Sequence, residues 1–416
     1  MNLTKIVLGA SAAVSCAVVG YQGKKLVAAQ KEYELVHVQV IFRHGARTPL
    51  HIPSYIPTVR YDESLLEHAS KTIIPYELVT FSSSLPESPF EESYKHRGKL
   101  EGGCLPGQLT HVGADQMYQL GLYLKKRYLE DERFLSSSYS GLLNEIYTRS
   151  TNIERTIMSA RCVLAGIFSG KSGSDVLQIH VTPPNEEIMY PNYYTCNYLR
   201  LLTRWAWSHP EKIPGVSAIQ EMVRKPLSIS DKDTADLVSI RDNIAVEEAH
   251  NKPSVGSKLS LKTRDIVEEG AMKIMHTAFV GEENVRERSL KLAIGPFVDI
   301  IMNNIEVKSE GKDSSNIKMH LYSGHDTTLI PLLSALGIRY AHWPPYAGNV
   351  IIELHRKNNA SGKEPSYFVR MLYNGEEQPV GRWMKYMCPL NEFQDSVADI
   401  RIAYEDYSKQ CMKTED

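Results

Sequence analysis

The sequence predicts an α/β protein: a mixed, mostly parallel sheet flanked by helices, with a smaller helical cap domain. Three observations predict it. Leu35–Phe42 is an almost unbroken apolar, β-branched run, the pattern of a strand covered on both faces. Segments of helical spacing alternate with short strand candidates up to residue 184 and again after 316, as in layered α/β folds. Between them, 185–315 holds repeated helical patterns and few strand candidates, with Pro210, Pro214, Pro226 and Pro253 at its turns. The expected organisation is a targeting leader at 1–31, an α/β domain at 32–184 and 316–416, and a mainly helical cap or insertion at 185–315.

The leader carries Lys5, Lys24, Lys25 and Lys31, no acid, and the small or apolar run Ile6–Val19. That run falls short of the roughly 17 apolar residues a membrane span needs. Its composition fits an organelle transit peptide, although it contains no arginine; a secretory signal and an ordinary N-terminal helix are the alternatives. After Leu35–Phe42 comes "FRHGARTP", where Gly45 is expected to permit a sharp turn and Pro49 to stiffen the exit. Residues 50–108 show no long clean period and read as part helix, part loop. Ala114, Met117, Leu120, Leu124 and Tyr128 then recur at three- and four-residue spacing, a helix packed on one face with Thr110 as N-cap. Glu145–Arg149 reads as a short strand, and Thr151 with Glu154 as a capping box opening a helix to about Phe168. Residues 177–183 read as a strand, as does Ile317–Tyr322, followed by a helix capped by Asp326 or Thr327. "NVIIELHR" and "SYFVRMLYNG" alternate as paired strands near a sheet edge.

With 47 Lys+Arg against 49 Asp+Glu the net charge is -2, and beyond residue 31 the balance is 43 against 49. Neither figure suggests a nucleic-acid partner. Of six cysteines, five lie beyond the leader, an odd number that argues against a fully paired secreted framework. None forms a CxxC pair, and no metal or other cofactor is expected. Asn359 opens the one sequon beyond the leader.

Arg43, His44 and Arg47, then Arg155, then His325 and Asp326 all fall at or just past predicted strand ends or helix starts. In open α/β sheets that is where ligands collect. Three arginines and two histidines there suit a phosphate monoester, since each guanidinium is a rigid, permanently charged donor. Backbone N–H groups at the helices starting near 151 and 327 could add to the field. A neutral His44 could attack phosphorus while Asp326 protonates the departing alkoxide. Arg149 reads as a supporting residue or as the partner of an acid at its strand end. Trp205, Trp207, Tyr193 and Tyr194 could line an acyl pocket or simply pack within core and cap.

"RHGARTP", "LTHVGADQMYQLGLYLKKRY", "YTRSTNIERTIMSA" and "LYSGHDTTLIPLLSALG" stand in the order found in histidine acid phosphatases, branch 2 of the histidine phosphatase superfamily, which this chain resembles over most of residues 35–400. The resemblance implies that His44 is the phosphorylated nucleophile and Asp326 the proton donor. It also implies that Arg43, Arg47, Arg155 and His325 bind phosphate without a metal. Where the family often has Ala before the catalytic His-Asp pair, this chain has Gly324. "MYPNYYTCNYL", "AVEEAHNKPS", "WPPYAG" and "CPLNEF" are similar to mitochondrial members that hydrolyse lysophosphatidic acid. They imply a mitochondrial address, with the secretory pathway or lysosome as the alternative. The implied substrate is a small phospholipid monoester, with room for peripheral membrane contact and no obligate protein partner. Sugar or inositol phosphates are the alternative substrates, and an inactive phosphate-binding or scaffold protein is the alternative of another class.

Overall fold

The computed structural model describes residues 32–338, 340, 342–357, 366–381 and 384–412. The leader and the sequon at Asn359 lie outside the described residues. Nine strands form one sheet in the order β2-β4-β3-β5-β1-β6-β7-β8, with β9 also paired to β7. These are Tyr33–Arg43 (β1), Tyr76–Val79 (β2), Ile146–Ser150 (β3), Leu177–His180 (β4), Met319–Gly324 (β5), Asn349–Lys357 (β6), Ser366–Tyr373 (β7), Glu376–Gln378 (β8) and Cys388–Pro389 (β9). The half from β2 to β1 is parallel, and from β1 outward every pairing is antiparallel. The mixed α/β fold is the one the sequence predicts, and β6 and β7 pair as expected.

Among the described residues, eight helices run ten residues or longer: His111–Leu124 (α1), Glu154–Ile167 (α2), Asn197–Ser208 (α3), Val216–Leu227 (α4), Leu237–Ala249 (α5), Leu261–Phe279 (α6), Arg286–Ser309 (α7) and Asp326–Ala335 (α8). No described helix is long and apolar enough to cross a membrane. The alternation along β1 sets the layers. Val38, Val40 and Phe42 enter the core shared with α1 and α2, whereas Ile41 enters the core shared with α7 and α8. Gln39 faces α7, donating from Nε2 to the Ile301 carbonyl at 2.9 Å and accepting from Asn304. Helices α3, α4 and α5 all contact α6. Cys196 and Cys411 form a disulfide, while Cys104, Cys162 and Cys388 are free and buried.

Register gathers the functional segments. Arg43 pairs with Gly324, and both Phe42 and Ser150 pair with Ser323, so His44, Thr151 and His325 all emerge at one edge of three adjacent parallel strands. The helix starts then depart from the sequence reading in an instructive way. Thr110 does cap α1, accepting from the Gly113 N–H at 3.4 Å. Ile153, not Thr151, is the N-cap of α2. The Thr151 hydroxyl is instead committed to Thr156 Oγ1 at 2.8 Å and His325 Nε2 at 3.0 Å. His325 itself caps α8, its N–H donating to Thr328 Oγ1 at 3.0 Å.

Gly45 does not adopt the left-handed backbone that a sharp turn would need. What it supplies is space: a Cβ there would lie 2.3 Å from the Gly113 carbonyl oxygen, and a Cβ at Gly113 would lie 2.1 Å from that of Ala46. The two backbones touch, and α1 thereby sets the height of the loop. Gly324 works likewise, since a Cβ would meet Thr328 Oγ1 at 2.5 Å, the atom that caps α8. Replacing Gly113 with Ala should therefore cost about 1–3 kcal/mol, as overpacked sites do. Urea unfolding checks it; an unchanged midpoint would mean that loop and helix separate freely.

Candidate active site

Arg43, His44, Arg47, Arg155 and His325 are each 6% exposed or less, so their mutual interactions are poorly screened by water. The structure brings all six sequence-predicted site residues together. His44, Arg47, Arg155, His325 and Asp326 line one cavity of about 220 Å³, and Arg43 reaches it through its 2.8 Å ion pair with Asp326.

His44 has a fixed tautomer. Its Nδ1 lies 2.8 Å from the Gly45 carbonyl, which can only accept, so Nδ1 carries the proton and Nε2 keeps its lone pair. Burial, reinforced by Arg155, Arg43 and Arg47, holds the imidazole well below the ordinary histidine range. It therefore stays neutral to lower pH than a free histidine. His325 is likewise held low by burial and then by Arg155. Arg155 Nη2 donates to its Nδ1 at 3.4 Å and its Nε2 donates to Thr151, so as placed it braces Arg155.

The guanidinium groups are held on one side and free on the other. Arg43 Nη1 donates to the Pro344 carbonyl at 2.7 Å, and its plane lies 4.3 Å from the Tyr346 ring centre, a cation–π contact. Its contact with Asp326 is an ion pair by distance but lacks hydrogen-bond alignment, leaving Nη2 and Nε without a partner. Arg47 is gripped by Asp242 of α5, Nη1 to Oδ2 at 3.1 Å and Nη2 to Oδ1 at 2.8 Å, with Nε unpartnered. Arg155 Nε is also unpartnered. Buried donors without acceptors are costly, and three arginines carrying them at or beside one cavity suit an anion.

Asp326 is the counterweight. Burial alone would push its carboxyl up, but Arg43, then Arg47, hold it far below the usual carboxylate range, helped by the Trp343 indole N–H donating to Oδ2 at 2.9 Å. Trp343 is in turn covered by Arg241, 4.7 Å from the ring centre, and its backbone N–H is held by Glu268. The helix-start N–H groups contribute less than expected, because Glu91 accepts from the Glu154 N–H and Asp326 Oδ1 from the Thr327 N–H. Arg149 takes the simpler alternative, pairing with buried Glu187 at 3.2 Å. Of the four aromatic candidates, Tyr193 and Trp207 line the cavity with Phe90, Tyr190, Met275 and Phe279. Trp205 and Tyr194 do not line it; both are partly exposed, as Trp207 also is, and Trp205 stacks on His209.

The family model described as histidine phosphatase superfamily (branch 2) matches residues 34–374. The chain belongs to that family. It is 36% identical over 387 residues to lysophosphatidic acid phosphatase type 6 of Mus musculus, covering 92% of this chain and 88% of the relative. With the Homo sapiens protein of the same name identity is 35% over 385 residues, covering 92% and 87%. Among solved structures, the apo phytase of Hafnia alvei superposes with a TM-score of 0.60 at 14% identity, covering 92% of this chain and 99% of that one. The multiple inositol polyphosphate phosphatase of Bifidobacterium longum in complex with inositol hexasulfate gives 0.59 at 13%, covering 91% and 95%. At such identities these structures speak for the fold. This histidine phosphatase is an acid phosphatase-type hydrolase of phosphate monoesters. Its His44 imidazole should keep an unprotonated Nε2 at pH 5, where a free histidine is almost wholly charged. Long-range ¹H–¹⁵N spectra read this directly, and titration near 6.5 would contradict the buried, cationic setting.

Proposed function

We propose that the enzyme hydrolyses lysophosphatidic acid to monoacylglycerol and phosphate through a phosphohistidine. The observation that carries the lipid half is the cavity wall: beside a phosphate-sized cationic floor stand Leu50, Phe90, Tyr193, Trp207, Met275 and Phe279. Such a wall suits one acyl tail better than a ring of hydroxyls. The chain's likeness to the lysophosphatidic acid phosphatases supports it, whereas its fold likeness to a phytase and an inositol polyphosphate phosphatase favours the inositol phosphate alternative. A mitochondrial address belongs to the same reading and rests on the basic, acid-free leader.

In the proposed mechanism the phosphate dianion takes the free donors of Arg43, Arg47 and Arg155, with His325 bracing the last. His44 Nε2 forms a bond to phosphorus as the ester P–O bond breaks. The leaving oxygen takes a proton from Asp326. Ionised in the free enzyme, Asp326 acquires that proton once bound phosphate offsets the pull of Arg43 and Arg47. Water then attacks the phosphohistidine, giving its proton back to Asp326 and releasing phosphate and neutral His44.

His44→Ala should abolish a labile phosphoenzyme and nearly all turnover. Asp326→Asn should cost about 10²-fold or more on an alkyl phosphate but much less on an aryl phosphate, whose leaving group needs no proton. Intact-mass analysis after a rapid quench and steady-state rates on both esters test the pair; an active His44→Ala enzyme, or equal losses on both esters for Asp326→Asn, would refute the assignment.

The substrate is tested by comparing kcat/KM for lysophosphatidic acid, glycerol 3-phosphate, a two-chain phosphatidic acid and a sugar phosphate. Efficiency should climb with acyl length by up to roughly fourfold for each methylene buried, then fall for two chains. Equal efficiency on glycerol 3-phosphate or the sugar phosphate would remove the lipid assignment and leave the phosphatase intact.

A further inference from the structure

We propose that Asp242 is a specificity residue that restricts this site to substrates carrying a single phosphate. The inference rests on the phosphatase reading of the cavity but not on the lipid one. Asp242 lies in α5, contributed from outside the sheet, and its partly exposed carboxylate both lines the cavity and grips Arg47 through two hydrogen bonds.

The grip has two effects. As a positioning device it takes one proton each from Nη1 and Nη2 of Arg47, with the Thr48 carbonyl accepting a further Nη1 bond, so that the guanidinium meets a ligand with Nε and its remaining edge. As a charge it changes the balance of the whole floor. Arg43, Arg47 and Arg155 supply three positive charges, Asp242 removes one, Asp326 removes another until it takes up a proton with phosphate bound, and His44 and His325 are held low by burial. One dianionic phosphate therefore takes up all of the remaining charge.

A second phosphate on the same molecule would find only one further basic side chain in the lining, His51. Among the described residues, those lining the cavity include no lysine, and Arg241 nearby is paired with Glu268 and covered by Trp343. It would also face the carboxylate of Asp242 across a poorly screened space, where like charges a few ångströms apart are strongly disfavoured. A glycerol hydroxyl at that position can instead donate to the carboxylate. Removing the charge should therefore admit polyanions, whereas a merely structural role for Asp242 would affect all substrates alike.

The experiment compares kcat/KM for inositol hexakisphosphate and for an aryl phosphate in the wild type, Asp242→Asn and Asp242→Glu. Asp242→Asn should raise the ratio of the two efficiencies by about tenfold or more, whatever happens to the absolute rates. Asp242→Glu, which keeps the charge, should retain the wild-type ratio. An active Asp242→Asn enzyme with an unchanged ratio overturns the proposal. Should that variant fail to fold, the intact wild type still decides. Calorimetry should find inorganic phosphate binding more tightly than inositol hexakisphosphate, and the reverse order overturns the proposal. Because the binding arm needs no turnover, its failure is distinct from absence of phosphatase activity, which would show as no aryl phosphate hydrolysis by the wild type.

Discussion

Three arginines are buried at the carboxyl edge of the parallel strands, and each keeps at least one N–H that no protein group accepts. Leaving charged donors in that condition is costly, and the surroundings are arranged to contain the cost. Asp326 pairs with Arg43 and Asp242 with Arg47, Tyr346 covers the Arg43 plane, and the Pro344 carbonyl takes one of its N–H groups. Each of these partners satisfies one side of a guanidinium. The other side remains available to an anion.

The same field divides labour between two titratable groups. Burial and the neighbouring arginines together lower His44, while at Asp326 the arginines lower the carboxyl against the effect of burial, which leaves the histidine neutral and the carboxyl ionised. For a nucleophile that is the useful state. For the proton donor proposed for this site it is the wrong one, and in the proposed mechanism bound substrate corrects it by supplying negative charge to the arginines. In that mechanism the acid is made ready by the molecule on which it acts.

Much of this was legible in the sequence because it depends on short-range pattern. The apolar run before Arg43 marks a doubly covered strand, and the spacing from Ala114 to Tyr128 marks a one-sided helix; strand ends then place Arg43, His44, Arg155, His325 and Asp326. Other features depend on distant partners and leave no local trace. Asp242 sits among helical residues with other acids nearby, and its role exists only because Arg47 lies against α5. Trp343 stood in a quoted motif, yet its donation to Asp326 is a tertiary fact. Thr151 looked like a cap by spacing, but His325 and Thr156 compete for its hydroxyl and win. Strand β2 was missed because Tyr76–Val79 is a partly exposed edge within a stretch rich in proline and serine.

The contact between Gly45 and Gly113 bears on what the arginine–histidine–glycine motif is. The loop rests on the opening turn of a helix that begins far along the chain, with Gly45 and Gly113 meeting backbone against backbone. Transplanted to another strand end without that glycine-bearing helix, the same residues would keep their chemistry and lose their placement. The portable unit is a loop together with the helix beneath it, and the seven-residue signature is only its visible half.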